Sequence, residues 1–464
     1  MQAAERPQID LVLIGGGHAH VSVLRSFGMK PVAGLRITLI TDVLDAPYSG
    51  MLPGLIEKAW QFEDMHINLQ NLCQFAQARL IHAPVSDIDL AQKKISITGN
   101  PSVFYDVLSI NSGAVPDLAP LSGAAEHAIA VKPISQFLSQ LPEQVDDTQT
   151  LSIIGGGAAG VELALALRTR YSQEGSRPDI QLFARSNRLV PQAPEMVSRW
   201  LETASAEQDI TIHLNAHVTG VERSKIITDD AEHPSDHHLV VTGVKPAPWV
   251  SRLDCTQDAN GFIAIRNSFQ LVNDDSVFAA GDIASMPAHP RPKAGVFAVR
   301  AGPVLAKNIR AYLEDRPLTD YRPQDKYLAI IGCANGQAIA FRGKMAVKGK
   351  MVWAWKKWID KRFMDRFNHL PKMHIPQADY PAAIKRLRPQ TAQNIIYCSG
   401  CGSKAGSDIL NNAIEQACKT AEILGADPRY LPSPETLSDA AIVPVSQTEA
   451  GDKKHHLIQS VDTI

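Results

Sequence analysis

Two runs of glycine carry the plainest chemistry in the chain: Gly15-Gly16-Gly17-His18-Ala19-His20 and Gly155-Gly156-Gly157-Ala158-Ala159-Gly160. Each follows a short apolar run, Leu11-Val12-Leu13-Ile14 in one case and Leu151-Ser152-Ile153-Ile154 in the other, and each opens a stretch of helical character. Glycine at such a turn lets the backbone approach a diphosphate, and the helix that follows supplies unpaired N–H groups and the positive end of a dipole. Two turns of this kind imply two bound dinucleotides. The second has glycine at all three fingerprint positions, whereas the first has His20 where the third glycine normally allows helix and strand to pack closely. By itself the first turn is as well read as a flexible loop.

The elements that must position these turns follow the same pattern twice. After the first turn come a helix, a strand at 35–40 and mixed segments ending in Val107-Leu108-Ser109-Ile110; after the second come a helix, a strand at 180–184 and further segments to about residue 243. The strand Val277-Phe278-Ala279-Ala280 ends in Gly281-Asp282, and a proline-rich loop at 287–292 leads into a helix from about Ala294, so the first domain is interrupted and then resumed. Residues 327–349 read as a β-meander, 353–367 as a basic amphipathic helix, and 376–389 as a polar, proline-rich linker. The expected class is α/β: two Rossmann-like domains, the second inserted in the first. The domains run 8–115 with 250–325, then 148–249, then a meander and helix at 326–375, a linker at 376–394 and a last piece at 395–464.

At 464 residues, with 45% hydrophobic and 20% charged residues, the chain has room for two to four ordinary globular domains. A formal charge of −2 gives no reason to expect a nucleic-acid partner. No apolar stretch is long enough to span a bilayer, and residues 1–8 are polar and lack a signal-peptide core, so the expected location is cytoplasmic. Six scattered cysteines fit a reducing compartment.

Further motifs turn the doubled turn into a resemblance. Tyr105-Asp106-Val107-Leu108 running into Ser112-Gly113-Ala114, then Thr242-Gly243-Val244-Lys245-Pro246, then Ala280-Gly281-Asp282 form an ordered set over residues 8–370 that resembles the two-dinucleotide-binding flavoprotein oxidoreductases. The resemblance implies FAD at the first turn, with Gly15, Gly17, His18, Ser112, Gly113 and Gly281 around it and Asp282 on the ribityl chain. It places NAD(P)H at the second, with Gly155, Gly157, Gly160 and Gly243, and implies hydride transfer from nicotinamide to flavin. Asp282 alone is equally a helix-capping aspartate. The helix from Ala294 would aim its positive end at the flavin, and Lys293 would either reinforce that charge or be a solvated surface lysine. At the strand ends that meet adenosine ribose, Asp42 is a ribose ligand or a turn residue. Arg185 stands where an acid is usual and leaves NADPH and NADH both open.

Disulfide reductases of this family carry a cysteine pair beside the flavin. Here Ala46-Pro47-Tyr48-Ser49-Gly50-Met51-Leu52-Pro53 has no cysteine, which shifts the resemblance toward the type II NADH dehydrogenase-like branch, where electrons pass to a quinone or another small acceptor. The helix at 353–367 interleaves Trp353, Trp355, Trp358, Phe363 and Phe367 with lysines and arginines; it would lie on an anionic membrane surface, or pack on the protein's own core or on the second copy of a homodimer.

The last segment, from Tyr397-Cys398-Ser399-Gly400-Cys401-Gly402-Ser403-Lys404 through Thr436-Leu437-Ser438-Asp439-Ala440-Ala441 to Val461-Asp462-Thr463, resembles the N-terminal part of selenophosphate synthetase (selenide, water dikinase), an α+β enzyme. The resemblance implies catalytic roles for Cys401 and Lys404 and magnesium binding, with ATP, by Asp439 and Asp462. A soft thiolate suits selenium, and aspartates suit a hard cation. Cys398 and Cys401 are also readable as half a zinc site or a redox dithiol. With the chain stopping at Ile464, the expectation is a truncated fusion or a remnant without kinase activity of its own. The main alternatives are the kinase as the activity of a full-length fusion, and a non-enzymatic flavin redox sensor.

Overall fold

The computed structural model describes residues 9–241 and 243–371, together with the backbone of two strands, Ala440–Pro444 and His456–Ser460. Contacts divide the chain into a unit spanning Met1–Met373 and a second spanning His374–Ile464. In the second unit the two described strands pair antiparallel, Ala440 opposite Ser460. Thr242, the linker at 376–394 and the expected site residues Cys401, Lys404, Asp439 and Asp462 lie outside the described residues.

The larger unit starts with β1 (Ile9–Ile14), α1 (His18–Met29), β2 (Leu35–Thr41), β3 (Arg79–His82) and β4 (Val107–Ile110). The run Leu11-Val12-Leu13-Ile14 is apolar without alternation because it is covered on both faces, as an interior parallel strand must be. The second nucleotide unit repeats the plan with β5 (Thr150–Ile154), α2 (Ala158–Gln173), β6 (Asp179–Phe183), β7 (Ile210–His213) and β8 (His237–Val240). Its parallel sheet has the order Ile129–Ala130, β8, β5, β6, β7.

The chain then returns to the first sheet as β9 (Val277–Ala279), which pairs in parallel with β4 and completes the order β9, β4, β1, β2, β3. The two crossings between the nucleotide units, Val115–Pro116 and Val244–Lys245, pair antiparallel. After the turn at Gly281–Ile283 comes α3 (Gly295–Leu313), which crosses α1 at close range: a Cβ on Gly302 would sit 2.6 Å from Ser22 Cβ. A three-stranded meander, β10 (Ala329–Cys333), β11 (Gln337–Arg342) and β12 (Met345–Gly349), leads into α4 (Lys350–Asn368).

Helix α4 divides its aromatic set. Phe363, Met364 and Phe367 are buried in the main core, while Met351, Trp355 and Trp358 are exposed, as are Met345 and Val347 of β12. Among the described residues no helix is long and apolar enough to cross a membrane.

Candidate active site at the two glycine turns

At the first turn Gly15 has φ +88°, and its N–H bonds to Ile40 O at 2.7 Å. A Cβ there would lie 2.5 Å from Asn111 O, and one on Gly17 would lie 1.6 Å from Asn111 Oδ1. Asn111, arriving from β4, therefore fills the space that side chains on the turn would need. Gly17 is the N-cap of α1 and supplies no capping side chain, and the first turn of the helix has no acid, so its leading N–H groups stay free for an anion. His20 takes the third-glycine position without disrupting the turn. Its Nδ1 meets Gly15 O at 2.7 Å and its Nε2 meets Ser109 Oγ at 2.8 Å, with the ring fully buried.

His18 Nε2 is shut off from solvent without a hydrogen-bond partner. Its ring lies edge-on to Tyr48 and tilted against Phe363. Burial lowers its pKa to about 4, opposed by the charge of Asp282. Asn111 Nδ2 is likewise buried and unpaired. An uncapped helix and two enclosed, unpartnered side-chain nitrogens fit the anionic diphosphate of a dinucleotide.

Asp282 sits in a 3-10 turn behind Gly281 (φ +75°), and its carboxylate accepts from Lys132 Nζ at 2.8 Å. Ser112 and Gly113 (φ +77°) continue from Asn111 toward the hinge strands, and Asp42 is exposed just past the end of β2. Lys293 Nζ donates to Ala284 O at 2.7 Å and lies 3.7 Å over the Phe262 ring, within electrostatic reach of Asp282. Burial lowers its pKa to about 8. The lysine that reaches Asp282 is Lys132, which nothing in its local sequence singles out.

The second turn is built differently. Gly155 has φ +137° and would place a Cβ 2.5 Å from Val241 O, while a Cβ on Gly160 would fall 1.9 Å from Gly155 O. Gly160 is thus required by helix-to-turn packing. A Cβ on Gly157 would meet nothing within 4 Å. Gly157 also caps α2 without a side chain, and the turn lines a cavity of about 510 Å³ with Arg185, His217 and Gly243. Gly243 O accepts from Asp117 N at 2.9 Å, beside the hinge.

Where the second nucleotide unit meets the meander and α4 lies a cluster that no sequence motif marks. Glu162 on α2 accepts from Gly332 N at 2.6 Å, and Lys356 on α4 donates to Gly50 O at 2.7 Å and Asp360 Oδ2 at 3.0 Å. Burial raises the pKa of Glu162, offset in part by Lys356. Burial works to lower that of Lys356, but Glu162 and Asp360 outweigh it and hold the ammonium up. Glu57, a few residues past Pro53, is raised to about 7 by burial and by Glu162. These residues come from four separate segments. The one local signal is the i,i+4 spacing of Lys356 and Asp360 on an aromatic helix.

Burial pushes the thiols of Cys73 and Cys333 up to about 12 and that of Cys255 up to about 11, so none of the three is a ready nucleophile.

Two strand–turn–helix cradles with uncapped helices, joined by paired hinge strands, define a dinucleotide-binding flavoprotein fold. Residues 9–302 match the model of the pyridine nucleotide-disulphide oxidoreductase family, and the chain belongs to that family of NAD(P)H-dependent flavin oxidoreductases. It is 26% identical over 368 residues to the NADH dehydrogenase-like protein YutJ of Bacillus subtilis, covering 75% of this chain and 98% of that one. Its fold is similar to the sulfide:quinone oxidoreductase of Aquifex aeolicus, with a TM-score of 0.64 and 20% identity over 78% of this chain and 92% of that one. It is also similar to an engineered water-forming NADPH oxidase, derived from the Lactobacillus brevis enzyme and bound to NADPH, with a TM-score of 0.61 and 19% identity over 72% of this chain and 75% of that one.

Proposed function

We propose that this chain is an FAD-dependent NAD(P)H oxidoreductase that delivers electrons to a small acceptor, a quinone or an oxidised sulfur or selenium species. FAD belongs to the first turn and the nicotinamide dinucleotide to the second. The observation that carries the reading is the pair of uncapped glycine turns, with an acid–base cluster that joins Glu162, on the helix after the second, to Lys356 and Asp360 of α4. When bound, the flavin supplies the capacity to take a hydride from nicotinamide and release electrons to a second substrate.

The chain's own residues do the rest. The free N–H groups of α1 and His18 Nε2 hold the FAD diphosphate, and Asp282 with Lys132 holds the ribityl end. Reduction of a quinone by two electrons also takes up two protons. Glu162, held by Gly332 N, and Lys356, held by Gly50 O and Asp360, store protons at the meander between α2 and α4. The likeness to a sulfide:quinone oxidoreductase and the absence of cysteine from residues 46–53 favour a diffusible acceptor over a protein disulfide. The substitutions in the NADPH-bound oxidase turn an Asp-Ala-Met run into Ala-Arg-Ser, and the same three residue types occur here as Ala184-Arg185-Ser186.

Anaerobic mixing of the purified chain with NADH and with NADPH tests the proposal. Yellow protein whose flavin absorption bleaches within seconds is expected, and colourless protein that takes up no FAD would overturn it.

The ordered motifs around Cys401, Lys404, Asp439 and Asp462 favour a second element, a partial selenophosphate synthetase at 395–464. In that reading the flavin unit supplies a reduced selenium species to the attached module. Selenium-dependent NAD(P)H consumption under anaerobic conditions is expected, and turnover with quinones alone would remove the coupling. The exposed Met351, Trp355 and Trp358, among the basic residues of α4, support contact with an anionic membrane surface.

A further inference from the structure

We propose that the second turn is built for a 2′-phosphorylated nicotinamide dinucleotide, NADPH, and that Arg185 selects it. The inference rests on reading that turn as the nicotinamide site.

The two nucleotide units can be laid over one another residue by residue through their strand registers. Ile14 pairs with Ile40 and Gly15 N bonds to Ile40 O at 2.7 Å; Ile154 pairs with Phe183 and Gly155 N bonds to Phe183 O at 2.9 Å. Counting on from these partners makes Thr41 equivalent to Ala184 and Asp42 equivalent to Arg185. Both members of the first pair face the middle glycine of their turn. A Cβ on Gly16 would lie 3.5 Å from Thr41 Oγ1, and one on Gly156 would lie 2.3 Å from Ala184 Cβ.

This strand end is where a carboxylate accepts the two hydroxyls of an adenosine ribose. The first unit has a carboxylate there. The second has a methyl group followed by a guanidinium, which offers no acceptor to a ribose diol but a planar set of donors to a phosphate.

The surroundings leave that guanidinium available. Arg185 is exposed on the rim of the cavity of about 510 Å³ and makes no hydrogen bond or ion pair among the described residues. The titratable groups around it are engaged elsewhere. His217 pairs with Asp229 at 3.0 Å, Asp117 pairs with Lys245 at 3.4 Å across the hinge, and Arg188 donates to Pro191 O. Among the described residues no unpaired carboxylate lines the cavity to repel a 2′-phosphate.

The backbone that carries Arg185 is also held in place. Ala184 N bonds to His213 O at 2.8 Å, Asn215 N to Ser186 O at 3.0 Å, and Val190 N to Gly156 O at 2.9 Å. Binding then has to order one side chain and not a loop.

Calorimetric titration of the flavin-loaded full chain with 2′-phospho-ADP-ribose and with ADP-ribose tests the assignment without any redox step. The phosphorylated probe should bind roughly ten- to a hundredfold more tightly, the range expected of hydrogen bonds to a charged group. The preference should shrink as salt is raised. Arg185→Ala should bring the two probes within about threefold of each other by weakening only the phosphorylated one, while Arg188→Ala should keep the preference. Equal affinities in the unaltered protein, tighter binding of ADP-ribose, or an Arg185→Ala loss shared by both probes would overturn the assignment. If neither probe binds while the protein holds FAD, the nicotinamide reading of the second turn falls, and this inference with it.

Discussion

The two glycine turns share a backbone plan and differ in what makes their glycines necessary. At the first, a Cβ on Gly17 would collide with Asn111 Oδ1 at 1.6 Å, so the protein itself forbids a side chain. At the second, a Cβ on Gly157 would meet nothing within 4 Å, so the chain itself leaves that position open. The third positions are reversed. Gly160 lies against Gly155 O, which leaves no room for a side chain, whereas His20 bonds to the equivalent carbonyl, Gly15 O, and reaches on to Ser109. One turn is locked into its own domain by side chains, and the other is kept open at its rim. That contrast matches a cofactor that stays bound against a substrate that exchanges every cycle.

The largest effect should come from Gly15→Val. It forces a β-branched residue into φ +88° and against Asn111 O, and should yield protein that retains no flavin and unfolds at least about 3 kcal/mol more easily. Flavin absorbance after gel filtration, with urea unfolding, checks it. Gly157→Val should do the opposite, leaving flavin content and stability near normal while raising the Kd for 2′-phospho-ADP-ribose about a hundredfold. Similar flavin loss in both variants would break the comparison.

Next is Glu162→Gln, which keeps the shape but removes the charge beside Lys356. A fall of roughly 10- to 100-fold in quinone reduction is expected, with bleaching by NADPH much less affected. Equal loss in both half-reactions would remove the proton-handling role and leave a structural one.

The His20 lock predicts a pH signature. Burial lowers the His20 pKa to about 4, opposed by its bond to Gly15 O. The folded-state value is therefore below the unfolded one of about 6.5, and between the two the unfolded chain holds a proton that the folded chain does not. His20 alone should account for a fall of about 1.4 kcal/mol per pH unit as pH drops through that window, levelling off below about 4. His20→Asn should lower the slope by that amount and leave the equal share of His18, whose pKa burial also lowers to about 4, measured as urea midpoints at pH 7, 6 and 5, after a loss of about 1–3 kcal/mol at pH 7. The smallest effect is expected from Trp355→Ser with Trp358→Ser: unchanged stability within about 0.5 kcal/mol, and weaker co-sedimentation with anionic vesicles.

Much of this arrangement is legible in the order of residues alone. The apolar runs mark β1 and β5 because interior parallel strands have no polar face, and the glycines mark the turns because few other residues adopt their backbone angles. The interruption of the first domain is readable from the apolar strand running into Gly281-Asp282. Harder to read is His20, which breaks the fingerprint as a pattern yet fits as a hydrogen-bonding side chain once Ser109 lies opposite. Lys132 gives no local sign of meeting Asp282, since 150 residues separate them.

By itself the sequence determined where the phosphate turns stand, because backbone freedom is a property of the residue and its immediate neighbours. It determined the charge that follows each strand, Asp42 in one unit and Arg185 in the other. Only the tertiary structure decided that these two positions are equivalent, that Asn111 closes one turn while the other stays open, and that Glu162 comes within electrostatic reach of Lys356. Register, burial and ion pairing are set by segments that lie far apart in the chain, and no local pattern encodes which of them will meet.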